Sequence, residues 1–280
     1  MRIVPFNNKT KSFKSWYDIL NNCDVNVTLK SIVTGSVLLN FKGAINPNHP
    51  FAGLLSDDYF YAPVLAHILS HEKYGDFLID AGLDKSYYKN KYGLFKGSLL
   101  QKYGSEFKQK LNQDTEYYIK KHDINLSGIF LTHLHMDHIS AIRDLDDIPV
   151  YFSNKEKSMD IKPYYYAQYF KDISTINILN IDNTVETPIL GKCINIFNDN
   201  SFWAIDTPGH TSGHLSYLVN SKEETILLTG DACYIYDNIK LKIAPSDYMW
   251  NISKAQKSLE KLLKFNDKYK LTKIIPGHDI

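Results

Sequence analysis

The sequence predicts an α/β sandwich in which two β-sheets are faced by helices. Three observations carry this. Short β-branched and apolar runs recur in both halves of the chain, helical stretches lie between or after them, and 280 residues suffice for one extended core without a split into domains. A single domain over 1–280 is therefore expected.

Residues 25–29 and 31–41 concentrate β-branched and apolar side chains between Asn-rich and Gly-containing stretches, and read as two strands that pair. After the loop NPNHPFAG, the runs 62–69 and 77–80 flank the polar connection EKYGD. Apolar runs on either side of such a turn read as a hairpin, which ends at Asp80-Ala81-Gly82. From 87 to 122 the pattern turns helical: Leu94, Phe95, Leu99, Leu100 and Tyr103 are spaced for one face, and a later helix passes through Tyr117, Tyr118 and Ile119. Gly93, Gly97 and Gly104 interrupt it, so 87–122 is expected to be short helices and loops forming a wall or lid. The run 124–131 is a strand, and a helix is expected from Ala141 onward. In the second half, strands are expected at 150–152, 193–197, 202–205, 215–219, 225–229 and 273–275, with a helix over 252–265.

Composition narrows the function classes. Hydrophobic residues at 44% and charged residues at 22% describe a folded chain rather than a disordered one. A net charge of +1 offers no global field toward nucleic acid or an acidic membrane surface. The lysines Lys108, Lys110, Lys120 and Lys121 are interleaved with Glu106, Asp114 and Glu116, the pattern of a solvated helical face. The opening MRIVPFNNKTKSFKSW has no apolar run suited to a signal peptide, and no stretch approaches a membrane span, so a cytoplasmic location is expected. Cys23, Cys193 and Cys233 are odd in number and widely spaced, and read as reduced thiols rather than a disulfide framework.

The chemistry concentrates in Thr132-His133-Leu134-His135-Met136-Asp137-His138, at the end of a strand. Residues two apart in extended backbone point to the same side, so His133 and His135 can grip one ion, while Asp137 and His138, beyond the strand, can face a second. Imidazole and carboxylate suit zinc and related divalent ions, but two coordination shells need further donors. Three later segments offer them, each built as strand, small residue or turn, then donor: Thr207-Pro208-Gly209-His210, continuing to His214; Gly230-Asp231; and Gly277-His278.

In these residues the chain resembles the metallo-β-lactamase superfamily, whose HxHxDH motif, later His, later Asp and final His occur here in order. The run 77–82 (FLIDAG) is similar to that family's early strand and DxG element. The resemblance covers most of the chain except roughly the first 20 residues and the stretch 87–107. It implies an αββα sandwich with two mixed sheets and a binuclear metal centre. His133, His135 and His210 would hold one metal, Asp137, His138 and His278 the other, and Asp231 would bridge both. Zinc is the expected metal, with iron, manganese and cobalt as alternatives for such donors. Two carboxylates leave residual positive charge, which lowers the pKa of a bridging water to yield hydroxide.

Within the superfamily the likeness is to N-acyl homoserine lactonases, through TPGHTSGHLS, GDACY and the terminal PGHD. It implies a hydroxide attack on an ester or lactone carbonyl of a small-molecule substrate, with Tyr234 contacting the lactone oxygen and Asp137 passing a proton to the leaving alkoxide. The alternative for Tyr234 is a core side chain with its hydroxyl satisfied.

Other readings are weaker. Glyoxalase II-like thioesterases share the ligands but usually add a helical domain after the last His, where this chain stops at Ile280. Phosphodiesterases acting on RNA want more positive charge, β-lactamases are usually exported, and diiron redox relatives carry Glu where His135 stands and add a flavin domain. A binding module without catalysis would lack ligands, and none is missing. His214 is read as structural, Asp80 as orienting the metal loop by hydrogen bonding, Cys233 as a packed thiol, and Thr211 and Ser212 as turn residues. His49, His67, His71 and His122 lack partners at ligand spacing. Aromatic residues at 59–61, 87–107 and 164–170 would line an acyl pocket, pack internally or form a homodimer contact.

Overall fold

Alternation along strands sorts apolar side chains onto opposite faces, and here both faces of both sheets are covered. The structure, a computed structural model, describes all residues except 7–9, 54, 95–104 and 157–167. Among the described residues one sheet has eight strands: β1 (Arg2–Phe6), β2 (Val27–Asn40), β3 (Tyr59–His71), β4 (Gly75–Ile79), β5 (Phe107–Lys108), β6 (Leu126–Phe130), β7 (Val150–Ser153) and β8 (Thr175–Leu179). Their spatial order is β1-β8-β7-β6-β4-β3-β2-β5, parallel from β1 to β4 and antiparallel beyond. The other sheet has six: β9 (Val185–Thr187), β10 (Gly191–Asn195), β11 (Phe202–Asp206), β12 (Leu215–Asn220), β13 (Thr225–Gly230) and β14 (Lys273–Pro276), ordered β14-β13-β12-β11-β10-β9. Only β13 and β14 pair in parallel there, so both sheets are mixed, as expected.

Three apolar layers hold the sandwich together. Phe77, Ile79 and Phe130 of the first sheet meet Phe202, Tyr217, Leu228 and Ile275 of the second between the sheets. On β4 the intervening Leu78 points the other way, into a cluster with Ile119, Ile139, Ile142 and Phe170 under the outer helical segments. The far face of the second sheet packs Trp203, Leu218 and Leu227 against Trp16, Leu262 and Phe265. Helices therefore close both outsides. Among the described residues no helix is long and apolar enough to cross a membrane.

Several expected elements shift. The runs 25–29 and 31–41 are one strand, β2, paired along its length with β3 and kinked between Val33 and Gly35. Lys30 does not break it, because it pairs with Ile68 of β3, and beside it the Ser31 hydroxyl meets the ring of His67, Oγ to Nδ1 2.8 Å. The helix expected from Ala141 starts earlier, at Met136–Ile139, and continues only as a 3-10 turn over Ser140–Asp144. The last helix runs past Phe265 to Tyr269 and is closed by Lys270 in the left-handed region.

Within 87–122 the later helix is present as Thr115–Lys121, but β5 is a strand, added to the edge of β2. The expected helical face through Phe95, Leu99, Leu100 and Tyr103 lies outside the described residues, as does the aromatic run at 164–166. Tyr169 and Phe170 pack into the outer layer of the first sheet.

Candidate metal centre

Strand direction gathers the donors. β4 and β6 are parallel, so Asp80 and the His133–His138 segment leave the first sheet at one edge. In the second sheet β11 and β13 both pair antiparallel with β12, and β14 runs parallel to β13. The segments carrying His210, Asp231 and His278 therefore leave it at one edge too, facing the first group across the sandwich. All seven expected donors come together there.

His210 Nε2 lies 2.9 Å from His133 Nε2 and 2.7 Å from His135 Nδ1. Asp137 Oδ2 lies 3.8 Å from His138 Nε2 and 3.5 Å from His278 Nε2. Between these trios sits Asp231. Its Oδ2 is 3.2 Å from His210 Nε2 and 3.8 Å from His133 Nε2, while Oδ1 is 3.5 Å from His138 Nε2 and 3.4 Å from His278 Nε2.

Outer hydrogen bonds set which ring nitrogen turns inward. His138 Nδ1 donates to Asp80 Oδ2 at 2.8 Å, and His278 Nδ1 donates to the Pro63 carbonyl at 2.9 Å. The Thr132 hydroxyl gives its proton to Asp80, so at 2.9 Å it accepts from His133 Nδ1. In each of the three, the neutral ring keeps its lone pair on the inward Nε2, the form a metal needs. Asp80 acts as the sequence reading expects. It adopts φ 56°, and its carboxylate also accepts from the Thr132 backbone N–H at 2.8 Å.

Charge divides the cluster. Burial pushes His133 and His210 well below the ordinary imidazole range, and neighbouring imidazoles push His133 further. Burial alone would also lower His138, but Asp80, Asp231 and Asp137 outweigh it and hold the ring well above that range. Burial opposes ionisation of Asp231, yet His138, His278 and His210 hold its carboxyl well below the usual carboxylate range. His138 Nε2 and Asp231 Oδ1 are buried without a hydrogen-bond partner. Unpartnered buried atoms are costly, and two of them aimed into a cluster of imidazole and carboxylate donors fit divalent transition-metal ions. The trios His133, His135, His210 and Asp137, His138, His278 could each hold one, with Asp231 between them.

Supporting residues lie one step out. His214 stays outside the donor set: its Nε2 accepts from the Asp231 backbone N–H at 2.9 Å, and its Nδ1 meets the Thr207 carbonyl and hydroxyl. Gly277 has no room for a side chain, since a Cβ there would stand 2.4 Å from Asp231 Oδ1. Glu156, which sequence reasoning missed, accepts from the Thr211 hydroxyl at 2.6 Å and tethers the His210 loop. No local motif marks it. Cys233 is buried among Ala244, Ala255 and Leu259, and burial raises its thiol pKa, as expected of a packed side chain. His67 and His71 are engaged elsewhere, with Ser31 and Asp199.

Tyr234 reaches the cluster, with its hydroxyl 3.2 Å from His210 Nδ1 and 2.8 Å from the Asp247 carbonyl.

The metallo-beta-lactamase superfamily pattern matches residues 71–278. The chain is 27% identical over 188 residues to an N-acyl homoserine lactonase of a Bacillus species, covering 65% of this chain and 68% of that protein. It is 27% identical over 151 residues to the N-acyl homoserine lactonase AttM of Agrobacterium fabrum, covering 53% and 56%. It is also 25% identical over 166 residues to a hydroxyacylglutathione hydrolase of Aliivibrio fischeri, covering 58% and 51%. The chain thus spans about half the length of the latter two. A solved quorum-quenching N-acyl homoserine lactone hydrolase superposes with a TM-score of 0.69 at 20% identity, covering 92% of this chain and 93% of that one. The dizinc quorum-quenching lactonase AidC gives 0.59 at 15% identity, covering 92% of each. At such identities the structural likeness is one of fold. The superfamily match, however, runs from the end of β3 to the final histidine, and by it this chain belongs to the metallo-beta-lactamase superfamily.

Proposed function

We propose that the protein is a metal-dependent hydrolase acting on an ester or lactone carbonyl. The observation that carries this is the Asp231 carboxylate, which turns one oxygen to His133 and His210 and the other to His138 and His278. In this reading His133, His135 and His210 would hold one divalent ion, Asp137, His138 and His278 the other, and Asp231 would serve both. Zinc is the first expectation, and iron, manganese or cobalt suit the same donors. Bound there, the ions supply an activated water and polarise the carbonyl.

The chain's own share is positional and protonic. Outer hydrogen bonds hold the imidazoles of His133, His138 and His278 with Nε2 inward. Asp137, with its side chain 14% exposed against 4% for Asp231, is the more open carboxylate, and in this reading it passes a proton to a leaving alkoxide.

The lactone class rests on relatives, since the chain aligns to 68% of the Bacillus lactonase and 56% of AttM. A thioester substrate is the second reading, favoured by the hydroxyacylglutathione hydrolase relatives. The test is a hydrolysis panel of N-acyl homoserine lactones, glutathione thioesters, phosphodiesters and β-lactams on zinc-loaded protein, with metal content measured on the same sample. Lactone or ester turnover well above a His135→Ala control is expected. A preference for thioesters selects the second reading, and no turnover on any substrate sinks both.

A further inference from the structure

The Tyr234 hydroxyl has two neighbours with different hydrogen-bonding capacities. The Asp247 carbonyl, 2.8 Å away, can only accept, so the single hydroxyl proton goes there. His210 Nδ1, 3.2 Å away, can then bond to the same oxygen only by donating its own proton. With Nδ1 protonated, a neutral His210 ring keeps a lone pair on Nε2, the nitrogen that faces His133 and His135.

We propose that Tyr234 is a positioning residue for His210, fixing the tautomer and orientation of that ring through a relay from His210 Nδ1 to the Tyr234 hydroxyl to the Asp247 carbonyl. The proposal rests on the reading that His210 is a metal ligand, and it replaces a substrate-contacting role for the hydroxyl with an inward-facing one. The surroundings agree. Tyr234 is 2% exposed, with its ring packed against His210 and His278 at centroid distances of 5.7 and 5.5 Å. The loop that receives its proton also holds the His210 backbone, since Trp250 N–H donates to the His210 carbonyl at 2.9 Å and Asn251 N–H donates to the Gly209 carbonyl at 2.9 Å. His210 is thus clamped at ring and backbone by one segment. Thr132, Asp80 and Pro63 perform the matching task for the other Nε2 donors.

A hydroxyl that positions a ligand and one that touches substrate differ in what their loss changes. Tyr234→Phe keeps the buried ring and removes only the relay. The expected result is a 10- to 100-fold weaker affinity for one of two zinc ions in a chelator competition, on the order seen when an outer partner of a ligand is lost, with kcat recovering at saturating zinc. Unchanged affinity for both ions overturns the proposal, and a kcat still depressed at saturating zinc then returns the hydroxyl to the substrate. A second measurement needs no variant: nitrogen-15 NMR of the wild-type imidazoles is expected to show His210 protonated at Nδ1 in the zinc-loaded protein, and a proton absent from Nδ1 overturns it. Neither the chelator competition nor the NMR spectrum requires turnover, so the proposal is judged even if no substrate in the panel is hydrolysed.

Discussion

The two halves of the donor cluster lean on different supports. His138 and His278 rest their outer nitrogens on a carboxylate and a backbone carbonyl, Asp80 and Pro63, whereas His133 and His210 rest theirs on the hydroxyls of Thr132 and Tyr234. A carboxylate strengthens its imidazole as a ligand more than a hydroxyl does, because charge-assisted hydrogen bonds are roughly twice as strong as neutral ones. Asp80 also accepts from both the backbone and the hydroxyl of Thr132, so it reaches the first half indirectly. The lesson is one of hierarchy: a shared anion at the centre, one anion serving both halves from behind, and neutral groups that serve one donor each.

The comparison orders the expected losses. Asp231→Ala removes the carboxylate common to both halves and leaves buried imidazoles facing one another. Zinc content should fall below one ion per chain, and activity by on the order of 1000-fold or more, read by elemental analysis and kcat. Retention of two ions would dissolve the shared-centre reading.

Asp80→Asn comes next. It removes one buried anion behind both halves, and the expected loss is about 10- to 100-fold in zinc affinity together with a lower melting temperature. Thr132→Val, which removes only a neutral partner of His133, should cost less than Asp80→Asn in the same titration. The reverse order would refute the contrast between charged and neutral support.

A contrast outside the cluster concerns His67, a buried imidazole whose ring also meets a hydroxyl, that of Ser31. Burial lowers its pKa from 6.5 to about 4. Its folded pKa is depressed, so the unfolded chain binds the proton more readily between those values, and stability falls as pH drops from about 6.5 toward 4. The full effect is on the order of 3 kcal/mol at the acid end. Denaturant melts of zinc-free protein at pH 7 and pH 5, repeated on His67→Gln, should show a shallower pH dependence in the variant. An unchanged slope would assign the acid sensitivity elsewhere.

Much of this was legible in local pattern. The strands that lead to Asp80 and the donors, β4, β6, β11, β13 and β14, are largely apolar and reach a Gly, Pro or polar residue at their last residue or within two residues beyond it, so their ends could be read within a few residues. The strands that escaped, β1, β5, β8 and β9, are short or lie toward the sheet edges, where pairing partners distant in sequence decide whether a segment is a strand. The break expected at Lys30 has the same origin: its partner, Ile68, is supplied by another strand.

The supporting groups were legible only where they are side chains beside a motif. Asp80 carried a signal in its turn. The carbonyls of Pro63 and Asp247 carried none, because every residue has a carbonyl and only the packed chain selects one.

What the amino-acid order determined alone was the inventory: five imidazoles and two carboxylates placed just past strand ends, where backbone periodicity and small residues expose them. What only the tertiary structure decided was their division of labour. Which oxygen of Asp231 faces which ring, and which acceptor captures each outer nitrogen, depend on two sheets packed face to face, since hydrogen bonds act over about 3 Å and the partners stand far apart along the chain.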